Sequence, residues 1–164
     1  MRGDRRRALG WVAALLAGCA TPPPPPPEAA GRRWSGRLAL TVHSDPPQRA
    51  NALFELRGDP QAGELLLSSP LGQALAHVGW DAGGAWLQRP GAAREPYPDM
   101  AVLTETLTGA ALPLAALFDW LQGRPTEAPG WARIHHDAAT GRLHAQRTAP
   151  TPLVDLRLTW TPSP

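Results

Sequence analysis

The stretch Trp34-Ser35-Gly36-Arg37-Leu38-Ala39-Leu40-Thr41-Val42-His43 decides the fold class, because it divides cleanly between two faces of an extended chain. Trp34, Gly36, Leu38, Leu40 and Val42 fall on one side, and Ser35, Arg37, Ala39, Thr41 and His43 on the other. A period of two marks a strand with one buried and one wet face, which is how antiparallel sheets are usually arranged. Outward from it, Asp45-Pro46-Pro47 signals a turn, and residues 49–57 predict a second strand with Ala52, Phe54 and Leu56 on one face. Gly58-Asp59-Pro60 turns the chain again, and 63–68 predicts a third strand. Residues 74–80 and 85–89, flanking Asp81-Ala82-Gly83-Gly84, predict two more. Short strands at this spacing predict an antiparallel meander.

The middle of the chain has a different period. Residues 99–107 and 114–121 show helical spacing: Leu103 and Leu107 are four apart, and Leu114, Leu117, Phe118 and Leu121 fall at i, i+3, i+4 and i+7. Gly109 is suited to stop the first helix, Pro113 to start the second and Gly123 to end it. Beyond Pro129 the period returns to two, with strands predicted over 131–136, 142–147 and 153–160. The result is one α+β domain of five strands, two helices and three strands. Two short helices are a small cover for such a sheet. Either the sheet curls and closes on its own side chains, or it stays partly open and keeps a cavity.

The N-terminal region reads as an address. Arg2, Arg5, Arg6 and Arg7 precede an apolar stretch from Ala8 to Ala17, too short to span a bilayer, and small residues follow. Leu16-Ala17-Gly18-Cys19 looks like a bacterial lipobox, which implies that residues 1–18 are a lipoprotein signal peptide removed before Cys19. It also implies that Cys19, the only cysteine, is acylated. Ala20 stands where an aspartate would resemble an inner-membrane retention signal, so the expected destination is the outer membrane, on its periplasmic face. Residues 19–33 then form the acylated cysteine and a tether. Its six prolines, Pro22 to Pro27, favour a polyproline rod of roughly 19 Å that stands the domain off the membrane.

Processing changes the charge. The full chain carries 16 basic and 14 acidic residues, and residues 1–18 hold four arginines and one aspartate, leaving 12 against 13. A mature chain near −1 lacks the surplus positive charge of a nucleic-acid binder. The sequence has no lysine, which excludes Schiff-base chemistry and a phosphate-loop lysine. His135 and His136 are adjacent on a predicted strand, so they point to opposite faces and cannot hold one ion together. Ser68 and Ser69 lack a nucleophile-elbow context, and the carboxylates are scattered singly. No enzyme, metal site or cofactor is expected.

Two features point toward lipid. Six tryptophans follow Cys19 (Trp34, Trp80, Trp86, Trp120, Trp131 and Trp160), and they suit either a plain β core or the wall of an acyl-chain cavity. Ser69-Pro70-Leu71-Gly72 puts a leucine at a turn, where polar residues are the norm. Leu71 either folds back on the core or stands out as an apolar tip that touches membrane or acyl chain.

Trp34-Ser35-Gly36-Arg37-Leu38-Ala39-Leu40, Phe54-Glu55-Leu56 and Leu65-Leu66-Leu67-Ser68-Ser69-Pro70-Leu71-Gly72 combine with Leu107-Thr108-Gly109-x-x-Leu112-Pro113-Leu114 and Leu117-x-x-Trp120-Leu121-x-Gly123-x-Pro125. Together they resemble the outer-membrane lipoprotein receptor LolB family over roughly residues 19–160. The resemblance implies a curved, unclosed antiparallel β-barrel over 34–162, with short helices covering its concave face and an apolar cavity between. It implies a monomeric receptor that accepts acylated lipoproteins from the periplasmic carrier LolA and inserts them into the outer membrane. By position, Leu71, flanked by Pro70 and Gly72, corresponds to the family's membrane-inserting loop leucine. Leu38, Leu40, Phe54, Leu56, Leu65, Leu67, Val78, Trp86, Leu103, Leu117 and Trp120 are the candidates for the cavity lining. Two rival readings are a lipid-binding envelope lipoprotein with another cargo, and a structural or assembly lipoprotein without a cavity.

Overall fold

The alternation that begins at Trp34 becomes β1 (Arg32–Val42), an interior strand of a nine-stranded antiparallel sheet. The structure, a computed structural model, describes residues 32–161. The signal peptide, Cys19 and nearly all of the tether lie outside the described residues.

On one side β1 pairs along its whole length with β2 (Gln48–Gly58), and the chain meanders outward through β3 (Gly63–Ser68), β4 (Ala74–Asp81), β5 (Gly84–Gln88) and β6 (Glu95–Tyr97). On the other side lie β9 (Val154–Trp160), β8 (Arg142–Arg147) and β7 (Trp131–Asp137). The order is therefore β6-β5-β4-β3-β2-β1-β9-β8-β7. β6 and β7 form the two edges and do not pair with each other, so the sheet curves without closing. Of the two expected arrangements of the sheet, it takes the open one, without closing on itself.

Register explains why one face is apolar. Trp34, Leu56, Leu65, Val78 and Leu87 are direct partners across five strands, and Leu40, Leu156 and Ala145 continue the same face across β1, β9 and β8. A slip of one residue in any ladder would turn that strand's apolar set to water. Gly36 sits on the same face, where an added Cβ would lie 1.9 Å from the backbone oxygen of Thr159. Only glycine lets β1 and β9 approach so closely there.

The helices complete the layer. α1 (Met100–Thr108) begins where the Asp99 side chain accepts the backbone N–H of Val102 at 2.8 Å, and it ends at Gly109 with φ of 70°. α2 (Leu114–Leu121) starts after Pro113, and Gly123 follows it with φ of 84°. The Thr104 hydroxyl donates to the Met100 carbonyl and accepts the Leu112 N–H at 2.9 Å, binding α1 to the interhelical connection. Leu103, Phe118, Trp120 and Leu121 enter the same core as the sheet residues. Burying a ring such as Phe118 contributes about 1.5–3 kcal/mol.

Eight of the nine strands and both helices follow the sequence expectation. β6 was not anticipated: it has three residues with Pro96 at its centre, too short and too poor a strand sequence to register. As an edge strand it tolerates a residue without an N–H.

Candidate functional site

The concave face divides into a packed base and a less covered strip. At the base, Phe118 of α2 meets Trp34 edge-on with ring centroids 5.5 Å apart, and meets Trp80 at 6.1 Å. The Trp80 indole N–H donates to the Asp59 carbonyl at 3.0 Å, and that of Trp120 to the Thr126 carbonyl at 2.7 Å. Trp80 and Trp120 are thus buried with the single polar atom of each indole satisfied. Asp119, half-buried on α2, accepts from Thr126 and Arg124, and those two donors hold its carboxyl below the usual carboxylate range. This clamps the chain leaving α2 beneath Trp120.

Above the base, Leu38 and Leu40 of β1 and Leu65 and Leu67 of β3 are only half-buried, although they point into the concave side. Leu112, Leu114 and Leu117, from α2 and the connection before it, are half-buried against the same core. The strip offers aliphatic surface and no charge, so its chemistry is that of hydrocarbon contact. Phe54, Leu56, Val78, Leu103 and Trp120, named with these leucines from the sequence, are buried in the packed core.

Trp86 departs from the expectation. Its direct partner on β4 is Gly79, while its neighbours Ala85 and Leu87 pair with the inward residues Trp80 and Val78. The indole therefore lies on the convex face, over the space where Gly79 lacks a side chain. His77 meets it edge-on at 4.8 Å and the Arg94 guanidinium stacks on it at 3.9 Å. Parity within the strand carried this information: Trp86 alternates with Leu87, and only one of the two can face the helices.

Pro70, Leu71 and Gly72 form the tip between β3 and β4. The Ser69 N–H donates to the Gln73 carbonyl at 2.8 Å, the Gly72 N–H donates back to the Ser69 carbonyl at 2.8 Å, and Gly72 adopts φ of 82°. These bonds close the loop on itself and leave Leu71 88% exposed, the most exposed large apolar side chain among the described residues. Leu71 does not fold back. Leu75, one residue into β4, is also exposed.

His135 and His136 do point to opposite faces: His135 pairs with His144 and His136 with Leu143. His136 lies near Trp160, and its Nε2 is buried without a hydrogen-bond partner. Burial, with the nearby Arg133 charge, pushes its imidazole below the ordinary histidine value. One cluster escaped the sequence reading. Asp155 accepts from the Nε2 atoms of both His43 and His144 at 2.9 Å and from Gln146, and the bond to His144 leads in holding its carboxyl low. Its members come from β1, β8 and β9, so pairing register was needed to find it. No described helix is long and apolar enough to cross a membrane.

Comparison with known proteins agrees with this architecture. Residues 32–150 match the family model described as "Outer membrane lipoprotein LolB". A protein of Ralstonia nicotianae named outer-membrane lipoprotein LolB is 38% identical over 79% of this chain and 66% of its own length. Proteins of the same name from Cupriavidus pinatubonensis and Bordetella petrii are 36% and 33% identical, covering 87% and 93% of this chain and 72% and 92% of their own. With the unclosed sheet, the two inner helices and the exposed Leu71 turn already in place, these matches establish that the chain belongs to the outer-membrane lipoprotein LolB family.

Proposed function

We propose that this protein is an outer-membrane lipoprotein receptor. It takes acylated lipoproteins from the periplasmic carrier LolA, holds their acyl chains against the concave leucine strip and delivers them to the outer membrane. Cys19, acylated after removal of residues 1–18, anchors it to the periplasmic face, and the proline-rich segment to residue 33 gives it reach. It works as a monomer and performs no catalysis.

The observation that supports this reading best is the partial exposure of Leu38, Leu40, Leu65 and Leu67 on an otherwise buried face. Each methylene covered there contributes on the order of 0.8 kcal/mol, so a few carbons of an acyl chain suffice for useful binding. Movement of cargo needs no nucleotide if affinity rises from carrier to receptor to membrane. Leu71 supplies the apolar contact for the last step.

The test is transfer of a labelled lipoprotein from LolA to this chain and then to vesicles. The parent protein should accept and release it. Leu71→Glu should accept it normally and fail to release it. A parent protein that takes no lipoprotein from the carrier sinks the receptor reading, and normal delivery by Leu71→Glu sinks the role of the tip.

A further inference from the structure

The convex face of the sheet carries three arginines grouped around one threonine. Thr159 of β9 is the direct partner of Arg37 on β1 and of Arg142 on β8, and Arg157 lies two residues from Thr159 on the same face. The register sets Arg37 and Arg142 about 9–10 Å apart across β9, with Arg157 diagonal to each at about 7–8 Å. All three are exposed, and none forms an ion pair among the described residues. Of the carboxylates on this face, Asp155 accepts from His43 and His144, Glu55 pairs with Arg33 and Arg57, and Glu64 with His77. Asp137, the direct partner of Arg142 on β7, accepts from the Thr140 N–H and forms no ion pair with Arg142. Two hollows flank Thr159. One of about 350 Å³ is bordered by Arg37, Arg142 and Thr140, and one of about 230 Å³ by Arg37, Arg157, Asn51 and Pro70.

Pro70 joins this cluster to the Leu71 loop. β3 ends at Ser68, whose partner Leu53 is itself the partner of Arg37, so the loop rises beside the arginines rather than at a distant end of the sheet. An apolar tip and three arginines without an ion-pair partner among the described residues thus share one side of the molecule. Leu71 and Leu75 suit the acyl region of a membrane, and the guanidinium groups suit the phosphates above it, where arginine forms paired hydrogen bonds.

We infer that Arg37, Arg142 and Arg157 form a docking face for an anionic phospholipid surface, orienting the protein so that Leu71 enters the bilayer. The inference rests on the receptor reading, in which Leu71 acts at a membrane. It adds the lipid chemistry that the approach selects.

The test is flotation of the full chain carrying Cys19→Ala, so that no arm contains an acyl anchor. The vesicles are phosphatidylcholine alone or phosphatidylcholine with about one third phosphatidylglycerol. The parent should prefer the anionic vesicles, and the preference should shrink between about 0.1 M and about 1 M salt, where the Debye length falls from about 10 to about 3 Å. The Arg37→Gln/Arg142→Gln/Arg157→Gln variant should bind anionic vesicles at least tenfold more weakly, three such charges corresponding to about a hundredfold at most. Its urea midpoint should match the parent's, because all three side chains are exposed. Equal flotation of variant and parent, or no preference for phosphatidylglycerol, overturns the inference. Displacement by inorganic phosphate at constant ionic strength also overturns it, by assigning a free-anion site. Fluorescent fatty-acid binding by the same proteins separates the two ideas. Failure of the parent in that assay counts against the concave strip, while intact binding beside an unchanged triple variant counts against the arginines alone.

Discussion

The Phe118 ring stands edge-on to Trp34, with 5.5 Å between centroids and 70° between planes, and this contact fixes α2 to the interior strand of the sheet. Phe118 is 1% exposed and also meets Trp80. Phe118→Ala removes the wedge between two tryptophans and leaves a void at the base of the concave face. It should cost about 3–5 kcal/mol in urea denaturation, with Phe118→Leu clearly milder.

Gly36→Ala tests the closest approach in the sheet. The new methyl would meet the Thr159 carbonyl, a backbone atom that cannot rotate away. The β1–β9 ladder must open or shift, at a cost of about 1–3 kcal/mol or more. Hydrogen exchange should show faster opening at 36–42 and 154–160 than at the β4–β5 hairpin.

Leu71→Glu should leave folding untouched. The side chain buries very little area, so its urea midpoint should correspond to a change within about 0.5 kcal/mol of the parent. Any loss of membrane delivery in that variant is then a loss of function and not of structure.

Trp86 and Leu67 separate the two faces of the sheet. Trp86→Ala removes the stack with Arg94 and the edge contact with His77, at a cost of about 1–2 kcal/mol. Fluorescent fatty-acid affinity should nevertheless stay unchanged. Leu67→Gln, on the concave strip, should weaken it about tenfold, near 1.4 kcal/mol. Equal effects of the two would refute the division of faces.

Acid should unfold the protein in two stages. His136 is held neutral by burial, so the unfolded chain binds the proton more readily. Stability is therefore lost as pH falls below about 6.5, the unfolded histidine value. Asp155 is held charged, chiefly by His144, so the unfolded chain again protonates first, now below about 3.9. His136→Gln should flatten the upper stage and Asp155→Asn the lower, measured as urea midpoints against pH.

The sheet was legible because a half-buried strand writes its two faces into alternate letters, as in 34–43 and 153–160. The helices were legible from Leu114, Leu117, Phe118 and Leu121 and from the glycines that close them. What the letters lacked was pairing. Arg37 reads as an outward residue of 34–43, yet its cluster with Arg157 and Thr159 exists only because β9 returns beside β1. Trp86 is apolar enough to suggest the interior, but its alternation with Leu87 sets it on the convex face. Leu71 read ambiguously, since its outward position depends on Ser69 and Gln73 closing the loop by backbone bonds.

The position of β1 in the sheet has a further consequence for how strongly the convex face must bind. The Leu71 loop rises near the level of Arg37, five residues and about 17 Å along β1 from Arg32. The twelve residues 20–31 reach at most about 43 Å when fully extended, so a lipid on Cys19 and the tip at Leu71 can enter one leaflet together. On the proposed anchoring, docking is an intramolecular event whose effective concentration is on the order of millimolar. A patch of three arginines with an affinity too feeble to recruit a free protein would then be occupied much of the time. It would still release readily enough to let the receptor turn back toward its carrier.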